Sequence, residues 1–181
     1  MKVLEWDQYF MSLAKLASVR SGCNSRPTGA VIVSDKRVIA TGYNGNLSGH
    51  RQCKEISDLF CRRRSKTLND KGEEKYQECV SIHAEQNAMN QIAKYGGVKL
   101  EGAKIYCTLS PCIFCLKNIA SVGIKEIYYE MLYESDDPVR DEVWKTKVLE
   151  FGIKTKHVYL TIEEELEVIK HLKHKTSSRR I

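Results

Sequence analysis

Three zinc-binding residues and one carboxylate fall into a short pattern: His83-Ala84-Glu85 and then, 26 residues after the glutamate, Pro111-Cys112-Ile113-Phe114-Cys115. An imidazole nitrogen with two thiolates is a mixed ligand set that suits zinc over calcium or magnesium. Three protein ligands leave a fourth tetrahedral position for water, as at a catalytic metal, whereas a structural zinc is closed by four. Cys-x-x-Cys at a helix start lets both sulfurs converge on one ion, and the helix N-terminus lowers thiol pKa values. Pro111 fits just ahead of such a first turn. Glu85, two residues past His83, is placed to exchange protons with the water. Taken singly, Cys-x-x-Cys also suits a redox pair or half a zinc knuckle, and His-x-Glu arises by chance; the joint order favours an open zinc site.

The elements that must carry these residues alternate between helix and strand. Trp6, Tyr9, Phe10, Leu13, Leu16 and Ala17 recur at helical spacing and mark an opening helix that ends near Ser21-Gly22. Residues 30–33 and 38–40 read as strands around an Asp35-Lys36 turn. A helix from His83 to about Tyr95 stops at Gly96-Gly97, a strand covers 105–109, the next helix runs from Cys112 to Ser121, and a strand covers 126–130. Asp137 as cap and Pro138 at the first position open a helix to about Phe151. Residues 154–160 read as a last strand, and Thr161-Ile162-Glu163-Glu164 opens a C-terminal helix with a capping-box pattern. Five strands interleaved with helices imply an α/β chain with one sheet covered on both faces. Residues 45–80 are polar, cysteine-bearing and poorly periodic, a length of irregular chain that usually has a function or a metal to order it.

At 181 residues and 42% hydrophobic, the chain suits one well-formed core, so a single domain over 1–181 is expected. No stretch of about 18 apolar residues predicts a membrane span, and no basic-then-apolar start resembles a signal peptide. Seven cysteines in such a chain point to a reducing, cytoplasmic setting. The net charge is +6, yet residues 170–181 hold five of the 29 basic residues and no acid, leaving 24 basic against 23 acidic elsewhere. A near-neutral body with a basic tail argues against nucleic acid as the partner, although Arg62-Arg63-Arg64 and the tail keep a strand-binding reading open.

His-x-Glu followed by Pro-Cys-x-x-Cys is a recognised signature of zinc-dependent nucleobase deaminases. Gly42-Tyr43-Asn44-Gly45, Ser81-Ile82-His83-Ala84-Glu85-Gln86-Asn87-Ala88, Thr108-Leu109-Ser110-Pro111-Cys112-Ile113-Phe114-Cys115 and the following Ala120 to Ile127 resemble the deoxycytidylate (dCMP) deaminases of the cytidine/deoxycytidylate deaminase superfamily. The resemblance covers roughly residues 4–160. It implies a three-layer α/β/α, cytidine deaminase-like fold with a central, mostly five-stranded mixed sheet. It also implies hydrolysis of dCMP to dUMP and ammonia at a cyclic amidine C–N bond, supplying thymidylate synthesis. The family properties that come with it are a homo-oligomer, with a hexamer favoured, and dCTP as activator and dTTP as inhibitor, with Mg2+ accompanying the triphosphate. On these lines Zn2+ is held by His83, Cys112 and Cys115, with Glu85 as proton shuttle. The Ser110 carbonyl accepts from the exocyclic amine and the Ala84 N–H holds the base carbonyl. Asn44 is the candidate for the sugar 3′-hydroxyl, against a plain turn asparagine. Arg26 is the candidate for the phosphate, against a surface arginine, and Tyr133 either lines the pocket or packs.

Five cysteines remain. Cys107 lies in an apolar strand and reads as core. Cys23, Cys53, Cys61 and Cys79 flank or occupy the irregular segment, and four thiolates would close a second, structural Zn2+; His50, in His50-x-x-Cys53, is a substitute ligand. The spacing Cys53-x7-Cys61-x17-Cys79 is not diagnostic. Two other functions compete: a deaminase acting on a base in RNA or single-stranded DNA, or on dCTP, and a non-catalytic zinc-stabilised nucleotide-binding module. Glu85 counts against the latter, since a purely structural metal has no use for it.

Overall fold

The computed structural model describes residues 3–57, 61, 79–133 and 138–172. Six helices, α1 (Trp6–Ser18), α2 (Cys53–Ile56), α3 (Ala84–Tyr95), α4 (Ile113–Ser121), α5 (Pro138–Glu150) and α6 (Ile162–Leu172), accompany five strands among these residues. The strands are β1 (Gly29–Ser34), β2 (Arg37–Tyr43), β3 (Lys104–Leu109), β4 (Glu126–Met131) and β5 (Lys154–His157), in the order β2-β1-β3-β4-β5. β1 pairs antiparallel with β2 and β3, while β3, β4 and β5 run parallel, so the sheet is mixed as expected. The parallel half brings the C-terminal ends of β3 and β4 together, and both lead into segments of the site.

Side-chain alternation divides the core between the two faces of the sheet. Val31, Val33, Tyr106 and Tyr128 point to the side of α1, where they pack with Phe10, Met11, Ala14, Val158 and Leu160. Ala30, Ile32, Ile105, Cys107 and Ile127 point the other way, against Ala84, Ala88 and Met89 of α3, Leu116 and Ile119 of α4, and Val148 of α5. Both faces are covered, and this explains the unbroken burial of Gly29 to Val33 in β1. Close helix approach depends on two glycines. A Cβ on Gly29 would sit 2.0 Å from the Ala14 carbonyl of α1, and one on Gly42 would sit 2.1 Å from the Ala84 carbonyl of α3. α6 returns to α1: Lys15 bridges the buried Glu130 of β4 and Glu165, and the Gln8 amide donates to Glu164 at 2.6 Å.

Several boundaries differ from expectation for physical reasons. The Asp35-Lys36 turn has positive φ at both residues (49° and 59°), the twist a tight two-residue hairpin needs. β2, expected over 38–40, reaches Tyr43, because pairing with β1 continues through Gly42 opposite Ala30 and Tyr43 opposite Gly29. The opening helix ends at Ser18 and passes through a turn to Arg20. β5 is shorter than expected and ends at His157; all four of its residues are exposed at the sheet edge. Thr161 caps α6 as its sequence pattern predicts, accepting from the Glu164 N–H at 3.2 Å while Glu164 accepts the Thr161 N–H at 2.8 Å. Within 45–80 the short α2 was not anticipated. The rest of that segment (58–60 and 62–78, with Arg62-Arg63-Arg64), the Asp137 cap and the tail from 173 lie outside the described residues. No helix among those described is long and apolar enough to cross a membrane.

Candidate zinc centre and active site

Two helix N-termini converge on the site. His83 is the N-cap of α3 and Cys112 the N-cap of α4, both with extended backbone, and Cys115 lies in the first turn of α4. Free N–H groups and the positive ends of both helix dipoles therefore surround the two sulfurs, an environment that favours thiolate. The His83 Nδ1 lies 3.5 Å from Cys112 Sγ and 3.4 Å from Cys115 Sγ, and all three ligand atoms fall within 4.8 Å of one another. Zn–S and Zn–N bonds of about 2.3 and 2.1 Å at a tetrahedral angle require an N···S edge of about 3.6 Å. The donor set and its spacing therefore fit zinc. Among the described residues this is the only such cluster. Within it Cys112 is the thiol that ionises first: the hydrogen bond from Cys115 lowers its pKa, His83 adds to the effect, and the Cys115 thiol is pushed up correspondingly.

Glu85 is 7% exposed and lies against the cluster. Burial pushes its carboxyl above the usual carboxylate range, opposed by its own backbone N–H, His83 and a hydrogen bond with Cys115. Small residues make this placement possible: Ala84 and Ala88 are buried on the same side of α3 and let the helix lie on the Gly42 backbone of β2. Cys107 is buried in β3 with its thiol pKa pushed well up by burial, in keeping with a core residue.

Beside the cluster opens a cavity of about 740 Å³ whose wall includes Ser110, Tyr133 and the three ligand residues. Its loops are laced together: the Ser110 N–H donates to the Met131 carbonyl and the Tyr133 N–H to Ser110 Oγ, each at 2.8 Å. The far wall is α5, which contributes Arg140, Asp141 and Trp144. Trp144 donates from Nε1 to the Pro111 carbonyl at 2.7 Å. The sequence reading missed all three. A signal was there, since Trp144, Val148 and Phe151 recur at helical spacing in an otherwise charged segment, but it indicates only that α5 packs on the sheet.

Arg26 reaches this region through Tyr133, its guanidinium 5.8 Å from the ring centroid. Asn44 is buried with its side chain turned into the 21–28 loop. Its Oδ1 accepts from Ser21 Oγ (2.6 Å) and the Thr28 N–H (2.8 Å), and its Nδ2 donates to the Arg26 carbonyl at 2.9 Å. Asn44 thus shapes the loop that presents Arg26. Ala84 opens α3, where its N–H has no intrahelical partner. Burial raises the Cys53 thiol pKa, and Cys23, Cys79 and Cys61 raise it further, yet among the described residues these four do not form a ligand cluster as close as that of His83, Cys112 and Cys115. His50 sits on an exposed turn, its N–H donating to the Leu47 carbonyl.

Residues 4–131 match the cytidine and deoxycytidylate deaminase zinc-binding region. The chain belongs to this deaminase family. Its relatives include the ComE operon protein 2 of Bacillus subtilis, 40% identical over 136 residues that cover 75% of this chain and 64% of that protein. They also include the deoxycytidylate deaminase of Schizosaccharomyces pombe, 40% identical over 133 residues that cover 72% of this chain and 38% of the yeast enzyme. The chain thus spans less than two thirds of the length of either. The dCMP deaminase of cyanophage S-TIM5, solved in complex with dCMP and dUMP, superposes with a TM-score of 0.64 at 27% identity, over 87% of this chain and all of the phage enzyme. The mixed five-stranded sheet and its flanking helices are therefore the family's fold. The family match ends at the last residue of β4, so α5 and its wall of the cavity lie beyond it.

Proposed function

We propose that this chain hydrolyses the 4-amino group of dCMP, forming dUMP and ammonia. One observation carries the reading: an open three-ligand cluster of His83, Cys112 and Cys115 lies against the buried carboxyl of Glu85 at the wall of a nucleotide-sized cavity. The yeast relative and the phage structure support dCMP as the substrate.

Zinc held by the cluster supplies Lewis acidity that brings the pKa of a water to about 7. Glu85 takes a proton from the attacking water and delivers it to N3 of the pyrimidine. It then takes the second proton from the hydroxyl now on C4 and passes it to the amine, which leaves as ammonia as the C4–N bond breaks and the C4 carbonyl forms. A raised carboxyl pKa suits a group that must both accept and donate near neutral pH. The Ser110 carbonyl accepts from the exocyclic amine and the Ala84 N–H donates to the base carbonyl. Tyr133 lines the sugar side. Asn44 holds the Arg26 loop and has one N–H left for the 3′-hydroxyl. Arg26 and Arg140 supply the phosphate contacts; Arg140 borders the cavity and makes no ion pair among the described residues.

The proposal includes a second, structural Zn2+ at Cys23, Cys53, Cys61 and Cys79, with His50 as the substitute ligand, supported by the electrostatic effect of the other three thiols on Cys53, although their sulfurs are not drawn as closely together as the His83 cluster. It also includes activation by dCTP with Mg2+, inhibition by dTTP, a cytoplasmic setting and a homo-oligomer with a hexamer favoured, all carried by the family resemblance. Phe114, 72% exposed beside the cavity, is an apolar group that such an assembly would cover.

The test is ammonia release by zinc-loaded protein from dCMP, dCTP, deoxycytidine and cytosine-containing single-stranded DNA, each with and without dCTP and Mg2+. Turnover of dCMP that Glu85→Gln abolishes while zinc is retained is the expected result. Turnover of the strand or dCTP alone shifts the substrate, and turnover of none leaves a binding module.

A further inference from the structure

We propose that Trp144 of α5 is a positioning residue that fixes the orientation of the Pro111–Cys112 peptide and so the placement of the first thiolate. The inference builds on the zinc site above. Between Ser110 and Cys112 the backbone has few soft torsions: the proline ring locks φ of residue 111 near −65° and peptide units are planar. At Pro111 itself the ψ angle is the torsion that remains, and it sets the direction of the Pro111 carbonyl and, with φ of Cys112, the placement of the thiol. Trp144 Nε1 donates to that carbonyl at 2.7 Å, so one hydrogen bond restrains the free angle of Pro111.

The donor is itself held. The Trp144 ring meets Tyr129 of β4 edge-on, at 6.5 Å and 89°, and packs against the core on that face of the sheet. The accepting residue is fully buried. Zinc-ligand orientation is thus referred to the sheet through α5, although α5 lies outside the family match. A second consequence concerns the substrate side. With the Pro111 carbonyl committed to Trp144, the Ser110 carbonyl is left with no hydrogen bond among the described residues, so the loop offers one acceptor to the cavity and not two.

Trp144→Phe keeps an aromatic ring and removes only the donor. Expected results are a zinc affinity weakened roughly tenfold or more, as for other groups that orient a ligand. The visible spectrum of the cobalt-substituted protein should also shift, with kcat on dCMP down about tenfold or more and KM little changed. Val148→Ala, which loosens the same helix while sparing the indole, should lower the melting temperature and leave the cobalt spectrum unchanged. If Trp144→Phe does not fold, benzothienylalanine at position 144, isosteric but without the N–H, makes the same comparison. Parental zinc affinity and cobalt spectrum in the folded donor-less protein would overturn the proposal. A shifted spectrum in a protein whose parent deaminates no cytosine compound would uphold the positioning role and remove the deaminase reading instead.

Discussion

Gly42→Ala tests whether the closeness of α3 to β2 is what places the Glu85 carboxylate, the proposed proton shuttle. The added Cβ would meet the Ala84 carbonyl at 2.1 Å and the Ala88 N at 2.5 Å, against 3.4 Å or more for ordinary contact. Both neighbours are backbone, so no side chain can swing aside and the start of α3 must retreat by about 1.3 Å. Overpacking of this kind costs about 1–3 kcal/mol, or roughly 2–12 °C in melting temperature for a chain of this size. The first turn of α3 carries Glu85, with His83 as its cap, so the same displacement moves the carboxylate relative to the cavity. A shift of about 1 Å in a reacting group costs roughly 10²-fold in rate. The assays are thermal unfolding, zinc content and kcat on dCMP; the rate loss should far exceed what partial unfolding explains at 25 °C. A variant with parental melting temperature and kcat would show that the helix seat tolerates the methyl and that Glu85 is not placed by this contact.

Arg140→Ala should raise KM for dCMP about tenfold or more and leave deoxycytidine turnover unaltered, as expected for loss of a charge-assisted phosphate contact; equal effects on both substrates would remove that role. Metal analysis should give two zinc ions per chain, falling to one in Cys53→Ser, with Cys61 and Cys79 of the parent protected from alkylation; one ion and free alkylation would exclude the second site. Asp7 is partly buried, which alone would raise its pKa, but hydrogen bonds from Lys156 and Tyr106 hold it below the usual carboxylate range. A lowered native pKa stabilises the fold above the unfolded value of about 3.9, and that contribution is lost as pH falls through the native one. Asp7→Asn should therefore melt lower than the parent at pH 7, by about 1 kcal/mol, with the difference closing below about pH 4; a gap equal at pH 3 and pH 7 would contradict the assignment.

What could be read from the sequence was local. The grouping of His83, Cys112 and Cys115 was legible because ligands placed on two helix N-termini fall at fixed short spacings, and the Thr161–Glu164 capping box and the Asp35-Lys36 turn are written in four residues or fewer. Where a role depends on packing across the fold, the chain order hides it. Trp144 meets a carbonyl 33 positions away, and nothing in α5 itself signals a link to zinc. Gly42 read as part of a motif, yet its conformation is plain strand and its importance comes from a helix lying on it. Asn44 was expected at the sugar or as a turn residue, and its side chain also spends three hydrogen bonds on the 21–28 loop, a use visible only once β2 is seen to end beside that loop.

The exposed β5 has a bearing on how copies of this chain can meet. Lys154 and Lys156 alternate with Thr155 and His157 along a border of the sheet that is unpaired among the described residues. A second sheet continuing through that border would set its strand about 4.8 Å away and crowd ammonium groups from both chains together. Lysines at an open border thus cap the sheet electrostatically at β5. A neutral pair such as Lys154→Thr with Lys156→Val would expose the chain to strand-by-strand growth at this border.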